Sequence, residues 1–434
     1  QQIQDKDTLI ENQAQQIQSL GLKNRVKRLL GMYQSTSFFR KEFKYIKNNP
    51  SSIKLGLKVL KSQGIKALIQ KIKQVHTLPS TLIDNVYKYI EPELTDEIKS
   101  EIEGFTKKPL ISIIMPVYNV DPKWLDLAIK SIEKQWYENW ELCIVDDKST
   151  NKDTVKYLKV LENEKIKIKF LTKNLNISNA SNEAVMLATG EYIALLDNDD
   201  ELTCDALYEV IKVINKQEVD FIYSDEDKLE LDGSHVWPLF KPDFSYDLLL
   251  SLNYITHLAV IKKDLFDRVD GFSLGADGAQ DHDLFLKIVE KTNKIIHIPK
   301  ILYHWRMLET STAKTSLAKP YAHNAAKTSV QNHLQRANVK ALVDDSPYTS
   351  VLDIKYTLPE PAPLVSIIIP TKDGVDLLNT CIKSIIEVST YDNYEIVILN
   401  NNSVKKETFD WFTKIQELHC NIRVVEANYK FNWS

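Results

Sequence analysis

Ten consecutive residues constrain this chain more than any others: Glu191-Tyr192-Ile193-Ala194-Leu195-Leu196-Asp197-Asn198-Asp199-Asp200. Five mostly apolar residues bounded by turn formers read as a buried strand. The strand runs straight into Asp197-x-Asp199. In open α/β sheets ligands bind beyond the carboxyl ends of the strands. Two carboxylates one residue apart at such an end can face one divalent cation, and Mg²⁺ suits a site with few carboxylates plus water and phosphate oxygens. The plainer alternative is a turn followed by a helix cap, since Asp and Asn serve both. The rest of the chain decides between them.

Upstream, Leu110 to Met115 is a second apolar run, closed by Pro116-Val117-Tyr118-Asn119. Leu125, Ala128, Ile129, Ile132 and Trp136 then follow helical spacing. Glu141 to Val145 predicts a strand ending in Asp146-Asp147, and Val155 to Leu161 a helix. Ile166 to Leu171 predicts a third strand, and Asn179 to Ala188 a helix leading into the Asp-x-Asp strand. Such alternation means a mostly parallel, doubly wound α/β sheet whose polar strand ends share one edge, suited to a nucleotide. Downstream, an amphipathic helix from Leu202 to Ile214 precedes a strand, Phe221 to Tyr223, and acidic Asp225-Glu226-Asp227. Residues 232–262, rich in aromatics and turns, read as the acceptor side. Gly278-Ala279-Gln280-Asp281-His282-Asp283 enters a helix. A strand at Ile295 to Ile298 leads to Tyr303-His304-Trp305-Arg306 and Ser311-Thr312.

The N-terminal part has a different character. Ile3, Ile10 and Ile17 stand seven apart, which fits either the tail of a coiled coil that could carry an oligomer or an ordinary solvated helix. Between Gly21 and Pro79 fourteen basic side chains face one acid, Glu42, although the whole chain is −4. This stretch is either a packed helix pair with a lysine face or a surface lying on anionic lipid. No aromatic platform or nucleic-acid motif accompanies the lysines, so nucleic acid is not expected as a partner. The four cysteines are far apart and form no metal or disulfide framework, as in a reducing compartment. No apolar run reaches bilayer-spanning length. The chain opens without Met and ends inside patterned sequence, so it reads as a piece of a longer protein.

After a Pro-containing stretch the pattern restarts. Pro363-Leu364-Val365-Ser366-Ile367-Ile368-Ile369-Pro370 repeats Pro109 to Pro116, and Asn393-Tyr394-Glu395 repeats Asn139-Trp140-Glu141. So long a period signifies a duplicated domain rather than a solenoid. In the second copy Asn400-Asn401 stands where the first has Asp146-Asp147, and no Asp-x-Asp follows. The expected organisation is therefore a coiled-coil-like helix at 1–33 and a basic helical region with linker at 34–108. A complete domain at 109–342, a linker at 343–362 and an incomplete second domain at 363–434 follow.

Taken in order, these landmarks resemble the family-two glycosyltransferases of the GT-A fold. The match is nearest to multidomain bacterial enzymes of O-antigen and surface-polysaccharide synthesis, often rhamnosyltransferases. The resemblance implies a metal-dependent, inverting enzyme that uses Mn²⁺ or Mg²⁺. Its partners would be a nucleotide diphospho-sugar donor and a lipid-linked or polysaccharide acceptor. It would be cytoplasmic and peripheral on the inner face of the membrane. By resemblance, Pro116, Val117, Tyr118 and Asn119 hold the base, and Asp147 accepts from a pyrimidine N–H. Asn179 and Asn182 lie where relatives often place an Arg facing the diphosphate, although no Arg is present here. Asp197 and Asn198 bind the nucleotide-sugar, Asp197 and Asp199 the metal, and His304 either completes the metal shell or simply packs beside Trp305. Asp281 matches the catalytic base. A carboxylate opening a helix can instead be its cap; Asp283 as cap would leave Asp281 free.

Two other functions compete. One is a silent binding module docking through the basic region, against which the set Asp147, Asp199 and Asp281 argues. The other is a sugar nucleotidyltransferase, which would want a Gly- and Arg-rich triphosphate loop where this chain has Pro116-Val117-Tyr118-Asn119.

Overall fold

The structure is a computed structural model that describes residues 87–308, 320–348, 350–427 and 429. The N-terminal heptads, the whole basic stretch from Gly21 to Pro79, and Ser311-Thr312 lie outside the described residues.

The first domain is built on β1 (Ile111–Val117), β2 (Trp140–Asp146), β3 (Ile166–Phe170), β4 (Tyr192–Leu195), β5 (Glu201–Leu202), β6 (Phe221–Leu229), β7 (His235–Leu239), β8 (Ala259–Lys262) and β9 (Ile295–Arg306). Their order is β3-β2-β1-β4-β8-β6-β9-β5, with β7 on β6. The first four strands are parallel, as the strand–helix alternation predicts. Beyond β4 the sheet becomes mixed, because β8 runs antiparallel to both β4 and β6. Helices cover both faces, giving two apolar clusters, one on each side of the sheet. Ile111, Ile113 and Met115 of β1 enter one cluster and Ile114 the other, as the strand period of two requires.

Polar groups tie the parallel half together. Buried Glu141 accepts from Ser112 Oγ at 2.6 Å and from the Thr189 amide at 2.6 Å, and pairs with Lys167 at 2.6 Å. It thereby joins β1, β2, β3 and the turn into β4. Gly190 in that turn has no alternative, since a Cβ there would meet Leu110 O at 2.4 Å.

Two expected boundaries move. The stretch 343–362 is only partly a linker, because β10 (Ala341–Asp345) and β11 (Leu352–Tyr356) form a hairpin. The hairpin buries Val343 and Leu352 in the first domain's core beside Val330 and Leu334. Residues 87–108 likewise belong to that domain: Ile102 and Phe105 pack on its core, and Tyr208 donates to Glu101 at 2.5 Å.

The duplication is visible in three dimensions. β12 (Val365–Thr371), β13 (Tyr394–Asn400) and β14 (Ile422–Glu426) form a parallel sheet with its own small core. Val365 pairs with Tyr394 as Ile111 pairs with Trp140. Ser366 donates to Glu395 at 2.6 Å, as Ser112 does to Glu141.

Candidate active site

The carboxyl ends of β1 and β4 open into a cleft of about 800 Å³. Pro116, Val117, Tyr118, Asp147, Asp197, Asn198, Asp199 and Asp281 all line it, from segments far apart in sequence. Tyr118 is half-exposed and free to stack on a planar ligand. Asn198 Nδ2 donates to Pro116 O at 2.6 Å, which pins the Asp-x-Asp turn to the end of β1. Asp147 is buried, and its Oδ1 accepts from the Leu175 amide at 2.6 Å. Burial raises its pKa while the Leu175 and Asn176 amides oppose the rise.

Three predicted residues are engaged elsewhere. Asn119 Oδ1 accepts from the Thr150 amide at 2.7 Å and the Asn151 amide at 2.9 Å, so it braces the loop after β2. Asn179 donates to Leu175 O at 2.9 Å, and Asn182 exchanges two 2.9 Å bonds with the backbone of Phe272. Helix Asn176–Val185 turns Ile177, Ala180 and Ser181 toward the cleft, so helical phase rather than residue type removes both asparagines.

Three acids crowd the strand end. Asp197 is raised by desolvation, opposed by His257 and reinforced by Asp281. Asp199 is pushed up to about 6 by desolvation and by Asp197. Asp200 is raised well above the usual range, yet it is bonded: Tyr303 Oη donates to it at 2.6 Å and the Arg306 amide at 2.7 Å. Such accumulated negative charge suits a cation.

The imidazole beside these acids is His257, not His304. His257 Nε2 lies 4.0 Å from Asp197 Oδ2. Asp197, Asp200 and His257 present ligand atoms within 4.8 Å of one another. His304 sits on the other face of β9, its Nδ1 2.6 Å from Asp227 Oδ1, beside His235. Strand alternation explains the correction: Tyr303 and Trp305 face His257, while His304 and Arg306 face away. No periodicity marked His257; it stands in an irregular segment within 232–262, the stretch read as the acceptor side.

Asp281 opens helix Gln280–Val289 without being its N-cap residue, although its Oδ1 accepts from the His282 amide at 2.9 Å. The N-cap is Ala279, with no side-chain bond. Asp281 Oδ2 instead accepts from Asn253 Nδ2 at 2.8 Å. Asp283 does not cap either: it is buried with Oδ2 unbonded, 3.9 Å from Lys287 Nζ. The cleft thus joins a nucleotide-sized opening, a cation-suited cluster and a carboxylate, Asp281, brought in by a separate helix.

The profile of Glycosyl transferase family 2 matches residues 112–277 and again 366–434, more than half of the chain. The chain belongs to glycosyl transferase family 2. The second match falls on the duplicated sheet. Among curated relatives, an uncharacterized protein of Sinorhizobium fredii is 40% identical over 79% of this chain and 38% of its own length. The O-antigen biosynthesis protein RfbC of Myxococcus xanthus is 33% identical over 74% of this chain and 25% of its own length. The family-two chain therefore spans well under half of these two relatives. S. aureus TarS, solved in complex with UDP-GlcNAc, aligns with 19% identity and a TM-score of 0.43, covering 52% of this chain and 66% of that one.

Proposed function

We propose that residues 87–357 transfer a sugar from a nucleotide diphospho-sugar to a growing bacterial surface polysaccharide, with metal assistance and inversion. The observation that carries this is the meeting of Asp197, Asp199, His257 and Asp281 in one cleft with Asp147 and Tyr118. RfbC's naming as an O-antigen biosynthesis protein supports the acceptor class. A second relative, WfgD of Escherichia coli, is named a glucosyltransferase acting on a diphosphoundecaprenol-linked sugar, which supports a lipid-linked acceptor.

The donor set fits a hard divalent cation. It offers carboxylate oxygens plus one imidazole, and the raised pKa values of Asp197 and Asp199 come from burial first and from neighbouring acids second, both of which a cation would offset. Mn²⁺ or Mg²⁺ would be held by Asp197, Asp199 and His257, and when bound it neutralises charge on the leaving diphosphate. Asp200 is already bonded to Tyr303 and Arg306 and is assigned to structure.

The remaining roles belong to the chain itself. Tyr118 stacks on the base and Asp147 accepts from its N–H. Asp281 takes the proton of the acceptor hydroxyl as that oxygen attacks the anomeric carbon and the bond to the diphosphate breaks. Asn253 holds the Asp281 carboxylate in one orientation. A single displacement with a single base inverts the anomeric centre.

Transfer is assigned to the first domain. In the second, Asn400 repeats Asp146 by accepting from the Ser403 amide at 3.1 Å, but Asn401 supplies no charge where Asp147 does. None of the described helices is long and apolar enough to cross a membrane. Contact with anionic lipid through residues 21–79, and association through the N-terminal heptads, remain proposals about residues wholly outside the described set.

Calorimetry with UDP-, dTDP- and GDP-sugars, with and without Mn²⁺ or Mg²⁺, tests the reading. Metal-dependent binding of at least one donor, followed by product formation, is expected. Metal-independent binding of all of them, or none, overturns it.

A further inference from the structure

Behind His257 lies an ion pair sealed from solvent. Glu226 is fully buried on β6, and the Lys241 side chain, just beyond β7, is 1% exposed. Their charged atoms are 3.3 Å apart. Both are bonded to one short segment. Lys241 Nζ donates to Ile255 O at 2.6 Å and to His257 O. Glu226 Oε2 accepts from Thr256 Oγ1 at 2.6 Å and from the His257 amide at 3.1 Å. Three consecutive residues are thus clamped, and His257 is held at both its N–H and its C=O.

A buried ion pair is a poor way to gain stability, because desolvation offsets the attraction and apolar replacements are often neutral or better. Here the charges are directed at backbone groups of a segment that needs holding. Thr256 has φ of 39°, a left-handed conformation that a β-branched residue adopts only when its surroundings enforce it. The ring beyond that backbone is fixed too. It stacks on Tyr303 at 4.5 Å and 17°, and meets Trp305 edge-on at 5.2 Å. Lys228 joins the two supports, 3.3 Å from Glu226 and over the Trp305 ring.

We propose that Glu226 and Lys241 are positioning residues, a buried ion pair that aims the His257 imidazole at Asp197. The link to cation binding rests on the function proposed above; the positioning itself does not.

The test uses the full chain and the double substitution Glu226→Gln/Lys241→Met, which removes both charges together and avoids stranding one of them. In metal-free protein labelled at histidine, the His257 imidazole resonance is assigned by its loss in His257→Ala. That resonance should shift or broaden in the double variant while the other histidines keep theirs. Mn²⁺ affinity, read by electron paramagnetic resonance with whichever of UDP, dTDP or GDP the wild type binds, should fall about 10- to 100-fold, as for other outer-shell supports. In a His257→Ala background the same pair of changes should cost nothing further. An unmoved imidazole in a folded double variant overturns the proposal, as does an equal added loss without His257. If the double variant does not fold, Thr256→Ala, which removes one bond and no charge, must move the same resonance or the proposal fails. A moved imidazole with Mn²⁺ affinity equal in wild type and His257→Ala upholds the positioning and removes His257 from the metal site instead.

Discussion

Asp281 Oδ2 receives a hydrogen bond from Asn253 Nδ2 at 2.8 Å, from a residue 28 positions earlier in the chain. That bond orients one carboxylate oxygen from another segment, while Oδ1 accepts from the His282 amide at 2.9 Å and the N-cap residue, Ala279, makes no side-chain bond. Asp281→Asn should leave donor affinity unchanged and lower turnover by about 10²- to 10⁴-fold. Asn253→Ala should lower kcat less, with KM for the donor unaffected. Steady-state kinetics with the donor identified by calorimetry decides; near-normal turnover of Asp281→Asn would remove it from the chemistry.

Asp199 carries a pH signature. Its pKa in the folded, metal-free protein is about 6, above the ordinary 3.8, through desolvation first and Asp197 second. Raised in the folded state, the carboxylate costs stability once ionised. The penalty is absent below about pH 4, grows between pH 4 and pH 6, and is constant above. Asp199→Asn should therefore stabilise the metal-free protein at pH 7, by on the order of 1 kcal/mol once solvent screening is allowed for, and should leave it unchanged near pH 4. The same variant should lose metal-dependent nucleotide binding. Thermal melts at the two pH values, with and without Mn²⁺, report both effects.

Tyr303→Phe removes the hydroxyl that donates to buried Asp200 at 2.6 Å and accepts from the Asp197 amide at 3.3 Å. A buried carboxylate left one donor short costs about 1–3 kcal/mol. The melting temperature should fall by several degrees, and Mn²⁺ affinity should weaken because the Asp-x-Asp turn loses its anchor. An unchanged melt would mean that water replaces the hydroxyl.

A chain ending at residue 342 should be less stable than one ending at 362. The shorter piece loses Val343 and Leu352, each 3% exposed, and uncovers Val330 and Leu334. Burying one such side chain is worth about 1.5–3 kcal/mol. Calorimetric melting of the two pieces, beside limited proteolysis that should cut between 357 and 364, checks the boundary.

Those contacts show where sequence patterns carry information and where they stop. β1 to β4 and their helices were legible because short apolar runs and helical spacing alternate without interruption from Leu110 to Leu196. The Asp-x-Asp cleft was legible because its acids stand at predicted strand ends. Strand β6 was foreseen only as Phe221 to Tyr223. Asp225, Glu226 and Asp227 read only as acids following that strand, yet they belong to it and each is buried against a partner: His297, Lys241 and His304 respectively. Local patterning cannot show partners supplied from 15 to 77 residues away. The same blindness hid His257 and Asn253, whose value lies wholly in what the fold brings beside them.

Strand β9 is a partition with a different furnishing on each side. Trp305 lines the cleft and Tyr303 stacks on His257 beside it, while His304 and Arg306 line a separate cavity of about 450 Å³ behind it. Because neighbouring residues of a strand face opposite ways, slippage by one residue would exchange the two sets. His304 would then swing toward Asp197, and the aromatic rings that steady His257 would be turned against Asp227. A single-residue deletion between Ile301 and Tyr303 would therefore damage both rooms at once, and neither can be refitted without the other's consent.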